Sequence, residues 1–328
     1  SGSGEGGRSP IVAGALQAVQ HTMADLPAPS PRPAIGMGTW AWGNRFLWGY
    51  DPAQDAVLEA TFRRALQLGL SFVDTADSYG TGRWNGRSEL LLGRFCSRLP
   101  ADLQGRVQVA TKLAPFPWRL GRRGLHRAFQ ASHRRLEGHL QRVQLHWSTA
   151  RYAPWQEDPL LDGLADLVLA GDVAELGVSN MGPRRLRRVQ SRLSERGVRL
   201  TSLQVQFSLL DRRPEGAFAA AAAERGVGIL CYGVLAGGFL TDAWLGKADP
   251  GHAFENRSLV KYRLVIDEFG GWDLFQELLA TLRGIADRQG ADIATVAVRA
   301  MLDRPDVAST IVGARYARHL PRLMKALD

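Results

Sequence analysis

Four titratable side chains stand out by where they fall. Asp74 closes the apolar run Phe72-Val73, Lys112 follows Val109-Ala110-Thr111, and His146 follows Val143-Gln144-Leu145. A carboxylate, an amine and an imidazole therefore each end a short hydrophobic segment, and Tyr79 lies just beyond the first, in Asp77-Ser78-Tyr79-Gly80. Burying an unpaired charge is costly, so groups placed in this way are expected to compensate one another. Any one of them alone reads as an ordinary strand-end residue. All of them doing so together points to a functional site.

Such a site needs elements that bring distant strand ends to one place. Apolar, β-branched runs occur at Ile35–Trp42, Ser71–Ala76, Val107–Leu113, Val143–Trp147, Ala174–Asn180, Leu203–Leu209, Gly228–Leu235 and Ala308–Ala314. They are near-continuous in hydrophobicity, as parallel strands covered on both faces should be. Helical stripes separate them: Leu58, Phe62, Ala65 and Leu66 in one, Leu125, Phe129, Leu136 and Leu140 in another. Asp211-Arg-Arg-Pro214 is expected to open a third, with Pro near its first turn. Eight strands alternating with helices predict an α/β chain folded as a single (β/α)8 TIM barrel over residues 34–328. A doubly wound sheet is the rival, but no G-x-G-x-x-G follows an early strand. In a barrel, chemistry sits at the C-terminal ends of the strands, where the four groups fall. The stretch Leu240–Trp272 exceeds an ordinary connection and is expected to fold over the mouth.

Composition narrows the class of protein. Of 328 residues, 45% are apolar and 22% charged, a globular balance. No apolar run reaches the length of a membrane span. Two cysteines, Cys96 and Cys231, exclude a disulfide framework and a Cys-based zinc site. The net charge of +9 comes from 41 basic against 32 acidic residues, and the only lysines are Lys112, Lys247, Lys261 and Lys325. The arginines are scattered, and the run Arg184-Arg185-Leu186-Arg187-Arg188 has the spacing of a surface helix, so no nucleic-acid partner is expected. Residues 1–33, rich in Ser, Gly and Pro, read as a flexible N-terminal arm. Cytoplasm is the simpler location, and the plastid stroma the alternative if the arm is what remains of a processed transit peptide.

The blocks FVDTADSYGTGRWNGRSELLLGRF, VATKL, QLHW, LGVSN and LQVQFSLL occur in the order and form that resemble the aldo-keto reductase superfamily, its plant, algal and bacterial members in particular. The resemblance runs from about Pro33 to the C-terminus. It implies an oxidoreductase that reduces carbonyls with NADPH through a tetrad falling here on Asp74, Tyr79, Lys112 and His146. In that scheme Tyr79 is the general acid. A phenol of pKa near 10 is a reluctant donor at neutral pH, and Lys112 beside its oxygen is expected to lower that value. Asp74 would hold Lys112 charged, and His146 would position the carbonyl.

The same resemblance assigns cofactor contacts. Ser179, Asn180 and Gln204 match the positions that hold the nicotinamide carboxamide, and Tyr232 matches the ring that stacks on it. Thr39 and Trp40 follow the first strand at the cofactor rim. Gly233 to Gly237, with Leu235 between them, match the loop around the diphosphate, where small residues allow close approach. Gly313 and Arg315 match the element at the adenosine 2′-phosphate, with Arg257 and His319 as further candidates. The chain departs from the family at Val312, where a Pro is usual, at His319, and at Arg322 and Leu323, where a Glu-Asn pair grips adenine. A short segment after the last strand implies an open pocket.

Other residues carry weaker signals. Trp40, Trp42, Trp48, Trp84 and Trp147 read equally as a pocket for planar substrates and as rim packing. His126, His133 and His139 share a helical segment without completing a metal site, and no metal is expected. The expected partner is a small carbonyl substrate: an aldehyde, ketone, sugar or pyridoxal-like compound. The superfamily also contains potassium-channel β subunits, which implies a second class, an NADPH-binding redox-sensing or structural subunit of a larger assembly with little turnover.

Overall fold

In a computed structural model of the chain, residues 35–80, 85–146, 154–254 and 257–327 are described, the side chains of Pro154 and Arg257 excepted. The arm assigned to residues 1–33 lies outside them, as do Trp84 and Trp147. Eight parallel strands close into a barrel in chain order, with the last paired to the first. They are β1 (Ile35–Gly38), β2 (Phe72–Asp74), β3 (Gln108–Leu113), β4 (Arg142–Leu145), β5 (Glu175–Ser179), β6 (Leu200–Gln206), β7 (Gly228–Tyr232) and β8 (Val307–Gly313).

The two-residue period of the strands sorts the side chains. Val73, Val109, Val143, Leu145, Leu176, Val178, Leu203, Ile229 and Cys231 join helix residues in one continuous core outside the barrel wall. Alternate residues face inward, where Phe72, Ala110, Leu230 and Ile311 form a small separate cluster. Two residues further along each strand, the inward positions become Asp74, Lys112 and Tyr232, all lining one cleft at the C-terminal mouth. Deeper in the barrel the buried pair Arg142 and Glu175 faces inward, with the guanidinium 5.2 Å from the Phe72 ring.

Helices cover the wall: α1 (Asp55–Gln67), α2 (Arg87–Ser97), α3 (Gly121–Arg135), α4 (Glu157–Leu169), α5 (Pro183–Glu195) and α6 (Ala217–Ala223), then α7 (Arg257–Phe269), α8 (Trp272–Gln289) and α9 (Ile293–Leu302). Trp42 is fully buried between α1 and α2, edge-on to Phe62 and Phe95, and donates its indole N–H to the Ala314 carbonyl at 3.1 Å. It is a core residue, which excludes it from the pocket. The arginine run does form a surface helix, α5. Arg185, Arg188, Arg192 and Arg196, at helical spacing, face Glu157, Asp158, Asp162 and Asp166 of α4 as a ladder of ion pairs.

Several boundaries differ from those read in the sequence. β1 ends at Gly38 because Thr39 to Trp42 turn back, the Trp42 amide donating to the Thr39 carbonyl. β6 starts three residues earlier and ends at Gln206, since Thr201 is drawn in by the Leu176 carbonyl while the Ser208 hydroxyl accepts the amides of Leu210 and Asp211 in a turn. β7 ends at Tyr232, where Gly233 takes φ +73°. The helix expected from Asp211 begins only at Ala217, because the Asp211 carboxylate accepts both the amide and the guanidinium of Arg213 and holds that stretch as a turn. The stretch from Leu240 to Trp272 does reach the mouth: Ser258, Lys261 and Tyr262 of α7 line the cleft.

Close packing makes one glycine a sensitive point. A Cβ at Gly93 of α2 would lie 2.8 Å from Leu136 Cα and closer still to the Arg135 carbonyl, both backbone atoms at the end of α3. Gly93→Ala should therefore destabilise the protein by about 1–3 kcal/mol, the usual cost of overpacking. The check is urea unfolding, with a lower midpoint at unchanged slope.

Candidate active site

The motif Gly86-Arg87-Ser88-Glu89 pins the strand ends that carry the titratable groups. Ser88 is buried at the start of α2 and bonds Thr39 after β1 and Thr75 after β2, at 2.7 and 3.0 Å. Glu89, equally buried, accepts from Thr111 of β3 at 2.5 Å and from Arg135 of α3 at 2.6 Å. The Asp77 amide donates to the Lys112 carbonyl, and the Asp77 carboxylate accepts the Ala114 amide and pairs with Arg119. The exits of β2 and β3 are thus locked together by groups shielded from water.

Between them, Lys112 donates to Asp74 Oδ2 at 2.5 Å and to the Thr75 carbonyl at 2.8 Å. The pair is almost completely buried, with side-chain exposures of 1% and 4%. The other carboxylate oxygen accepts from Gln204 at 2.8 Å and from Gln144 at 3.2 Å. The ammonium stands 5.0 Å from the centroid of the Tyr79 ring. Tyr79 and His146 meet edge to face at 6.0 Å, and His146 Nδ1 lies 3.2 Å from the Ser78 hydroxyl. All four side chains line the same cleft, of about 1870 Å³.

The electrostatics differ from expectation at Tyr79. Its pKa is pushed well above the usual value, by burial first and by the Asp74 charge second. Lys112 is engaged with Asp74 and Thr75 rather than bonded to the phenol, so in this structure Tyr79 is a firmly protonated O–H donor. His146 moves the other way, to about 3, through burial and then the charges of Lys112 and Arg119. Its imidazole is neutral at physiological pH.

The cofactor candidates divide. Ser179, Asn180, Gln204 and Tyr232 come together at the ends of β5, β6 and β7 and line the cleft. Asn180 takes φ +53°, a conformation Asn tolerates, and its Oδ1 accepts from the Tyr232 hydroxyl at 3.0 Å. Gly233, Leu235 and Gly237 border the same cleft, as do Gly313, Arg315 and His319 at its far end. The Arg315 guanidinium lies 5.8 Å from the centroid of Trp48, and exposed His319 accepts from Arg318 at 3.0 Å. Trp40 lines the cleft, edge-on to Trp48 at 5.5 Å. Thr39 does not reach it: the side chain is fully buried and donates to the Asp74 carbonyl at 3.1 Å. Arg257 begins α7, and its side chain lies outside the described atoms. Of the adenine positions, Arg322 and Leu323 both line the cleft, Leu323 as a buried apolar residue.

Sequence reasoning passed over Gln144 and Lys261. The signal for Gln144 was its place two residues before His146, which puts it on the inner face of β4 and His146 just beyond the strand on the same side. Among the described residues no group of three His, Cys, Asp or Glu side chains is placed to hold a metal, and no helix is long and apolar enough to cross a membrane.

A closed parallel barrel with its acid–base groups gathered at the C-terminal mouth is the architecture of a barrel enzyme. The chain belongs to the aldo/keto reductase family, whose model matches residues 34–328, and is thus an oxidoreductase by kinship. It is 40% identical over 297 residues to the chloroplastic pyridoxal reductase of Arabidopsis thaliana, spanning 89% of this chain and 78% of that protein. An uncharacterized oxidoreductase of Mycobacterium tuberculosis is 32% identical over 301 residues, spanning 90% and 84%. Among solved structures, an aldo/keto reductase from Klebsiella pneumoniae, crystallised with NADP and acetate, shares the fold with a TM-score of 0.66 at 24% identity, over 90% of this chain and 86% of that one.

The depressed His146 pKa has a stability consequence with a definite sign. Between the unfolded value near 6.5 and the folded value of about 3, the unfolded chain binds the extra proton, so stability rises with pH through that window and is lost as pH falls through it. Nitrogen-detected NMR at about pH 5 should therefore show a neutral His146 ring, and His146→Asn should flatten the acid limb of the stability profile. A protonated ring at that pH would contradict the electrostatics described.

Proposed function

We propose that the protein is an NADPH-dependent carbonyl reductase, or in reverse an alcohol dehydrogenase, with Tyr79 as general acid and base. One observation carries this reading: a buried Asp74–Lys112 pair lies beneath a cleft into which the Tyr79 phenol and the His146 imidazole both face.

The cleft suits the dinucleotide. Gly233, Gly237 and Gly238, which have no side chain, border it, with Gly233 and Gly237 at φ +73° and +66°. Asn180, Ser179 and Gln204 offer amide and hydroxyl groups for a carboxamide, the Tyr232 ring a stacking surface, and Arg315 a guanidinium for the 2′-phosphate. Bound there, NADPH supplies the hydride.

The residues of the chain manage the charge that results. As electrons gather on the carbonyl oxygen, Tyr79 gives up its proton to form the alcohol, and the Lys112 ammonium, 5.0 Å from the centroid of the ring, offsets the charge of the phenolate left behind. Asp74 holds that ammonium in place, so the field is set before the reaction begins. Neutral His146 supplies a ring nitrogen to orient the carbonyl without competing as an acid. The kinship with a pyridoxal reductase supports a pyridoxal-like substrate among small aldehydes, and its chloroplastic character supports a plastid location.

The test follows NADPH consumption with a panel of aldehydes that includes pyridoxal. Tyr79→Phe should lower kcat by about 10²–10⁴-fold while leaving the NADPH dissociation constant, read by tryptophan quenching, unchanged. Wild-type protein that binds NADPH but turns over no carbonyl would favour the binding-subunit alternative, and wild-type protein that does not bind it would overturn the proposal.

A further inference from the structure

We infer that Lys261 is an anion anchor on the helix that closes one side of the cleft, and that its ligand is a phosphoryl group of a molecule held there. Ser258, Lys261 and Tyr262 lie at i, i+3 and i+4 of α7, so one helix face presents all three to the cleft. That face packs directly on the glycine loop: a Cβ on Gly237 would lie 2.8 Å from the Tyr262 ring and 3.1 Å from the Ser258 hydroxyl. The Lys261 ammonium is held between two aromatic rings, 5.0 Å from the centroid of Tyr232 and 4.9 Å from that of Tyr262.

What it lacks is a counter-charge. Lys261 has no hydrogen bond or ion pair with any described residue. The carboxylate whose charge reaches it, Asp211, is already occupied by Gln206 at 2.7 Å and by two guanidinium nitrogens of Arg213 at 2.6 and 2.8 Å. Asp211 and Arg213 cancel, which leaves the lysine as surplus positive charge in a half-buried position. Two aromatic faces offset only part of the cost of holding that charge out of water, whereas a phosphoryl oxygen would meet the ammonium as a strong charge-assisted acceptor. Burial also lowers the Lys261 pKa, the direction an anion would reverse.

Phosphoryl oxygen has two sources in such a cleft, and both rest on the function proposed above: the diphosphate of a dinucleotide, or a phosphate carried by the carbonyl substrate. The probe common to both is inorganic pyrophosphate. It should raise the melting temperature of the wild-type protein, the shift should vanish in Lys261→Met, and Lys261→Arg should retain most of it. An NADPH dissociation constant raised about tenfold or more in Lys261→Met then identifies the dinucleotide as the source. An unchanged dissociation constant, with KM raised for glyceraldehyde 3-phosphate but not for glyceraldehyde, identifies the substrate. If pyrophosphate stabilises Lys261→Met as it does the wild type, or stabilises neither, the inference is overturned. Should wild-type protein fail to bind NADPH, the proposed function falls, and the pyrophosphate comparison still decides the anion site.

Discussion

The contact between Asp74 and Lys112 sets the terms for everything around it. Removing both charges from water costs several kcal/mol for each ion, and their attraction repays this only if their remaining donors and acceptors are met. The barrel meets most of them. One carboxylate oxygen takes the ammonium, the other takes two amide donors from Gln144 and Gln204, and the ammonium takes the Thr75 carbonyl as well. These partners come from β2, β3, β4 and β6, so the full set is assembled only when those four strands stand around one barrel interior. A local charge arrangement therefore depends on the whole topology. In return it fixes a positive charge under the mouth that no side-chain motion is needed to assemble.

Much of this was legible in the sequence because strand periodicity is rigid. Once Val73, Val109 and Leu145 are outward, Asp74, Lys112 and His146 follow as inward or mouth positions, and the alternation of strands with helices implies a barrel. The motif around Ser88 and Glu89 was recognisable as a pattern, but its physical task was not. That task is long-range: Ser88 reaches Thr39 across 49 residues, and Thr111 reaches Glu89 across 22. The same limit explains Thr39, which stands beside the cleft residue Trp40 in sequence and yet turns inward to the hydrogen bonds that hold β1 against β2. Strand ends were displaced wherever a hydroxyl or carboxylate captured a nearby amide, as at Ser208 and Asp211, because such side-chain bonds compete with the ladder at small energy differences.

The positive balance of the chain has a similar explanation at short range. On the surface, arginine is matched locally, most regularly in the ladder between α4 and α5, whose rungs are half-buried. Glu157 differs because its carboxylate is buried between Arg185 and Arg188. Positive charge without such a partner matters more inside the cleft, where Lys261 is held by aromatic faces alone.

Gln204 connects these threads. The family resemblance assigns it to a carboxamide, whereas here it donates to the carboxylate of Asp74. A primary amide carries two N–H donors and an acceptor oxygen, so one N–H can serve Asp74 while the rest of the group faces the cleft that Gln204 lines. A ligand at that amide would then touch the network that orients Lys112, and through Lys112 the charge under Tyr79. The coupling also acts in reverse. Any change that weakens the Asp74–Gln204 contact alters both the ammonium beneath the phenol and the polar edge beside Asn180, whose own side chain is already fixed by Tyr232. Under the proposed function, binding of the nicotinamide end and proton transfer would thus share one buried carboxylate, that of Asp74.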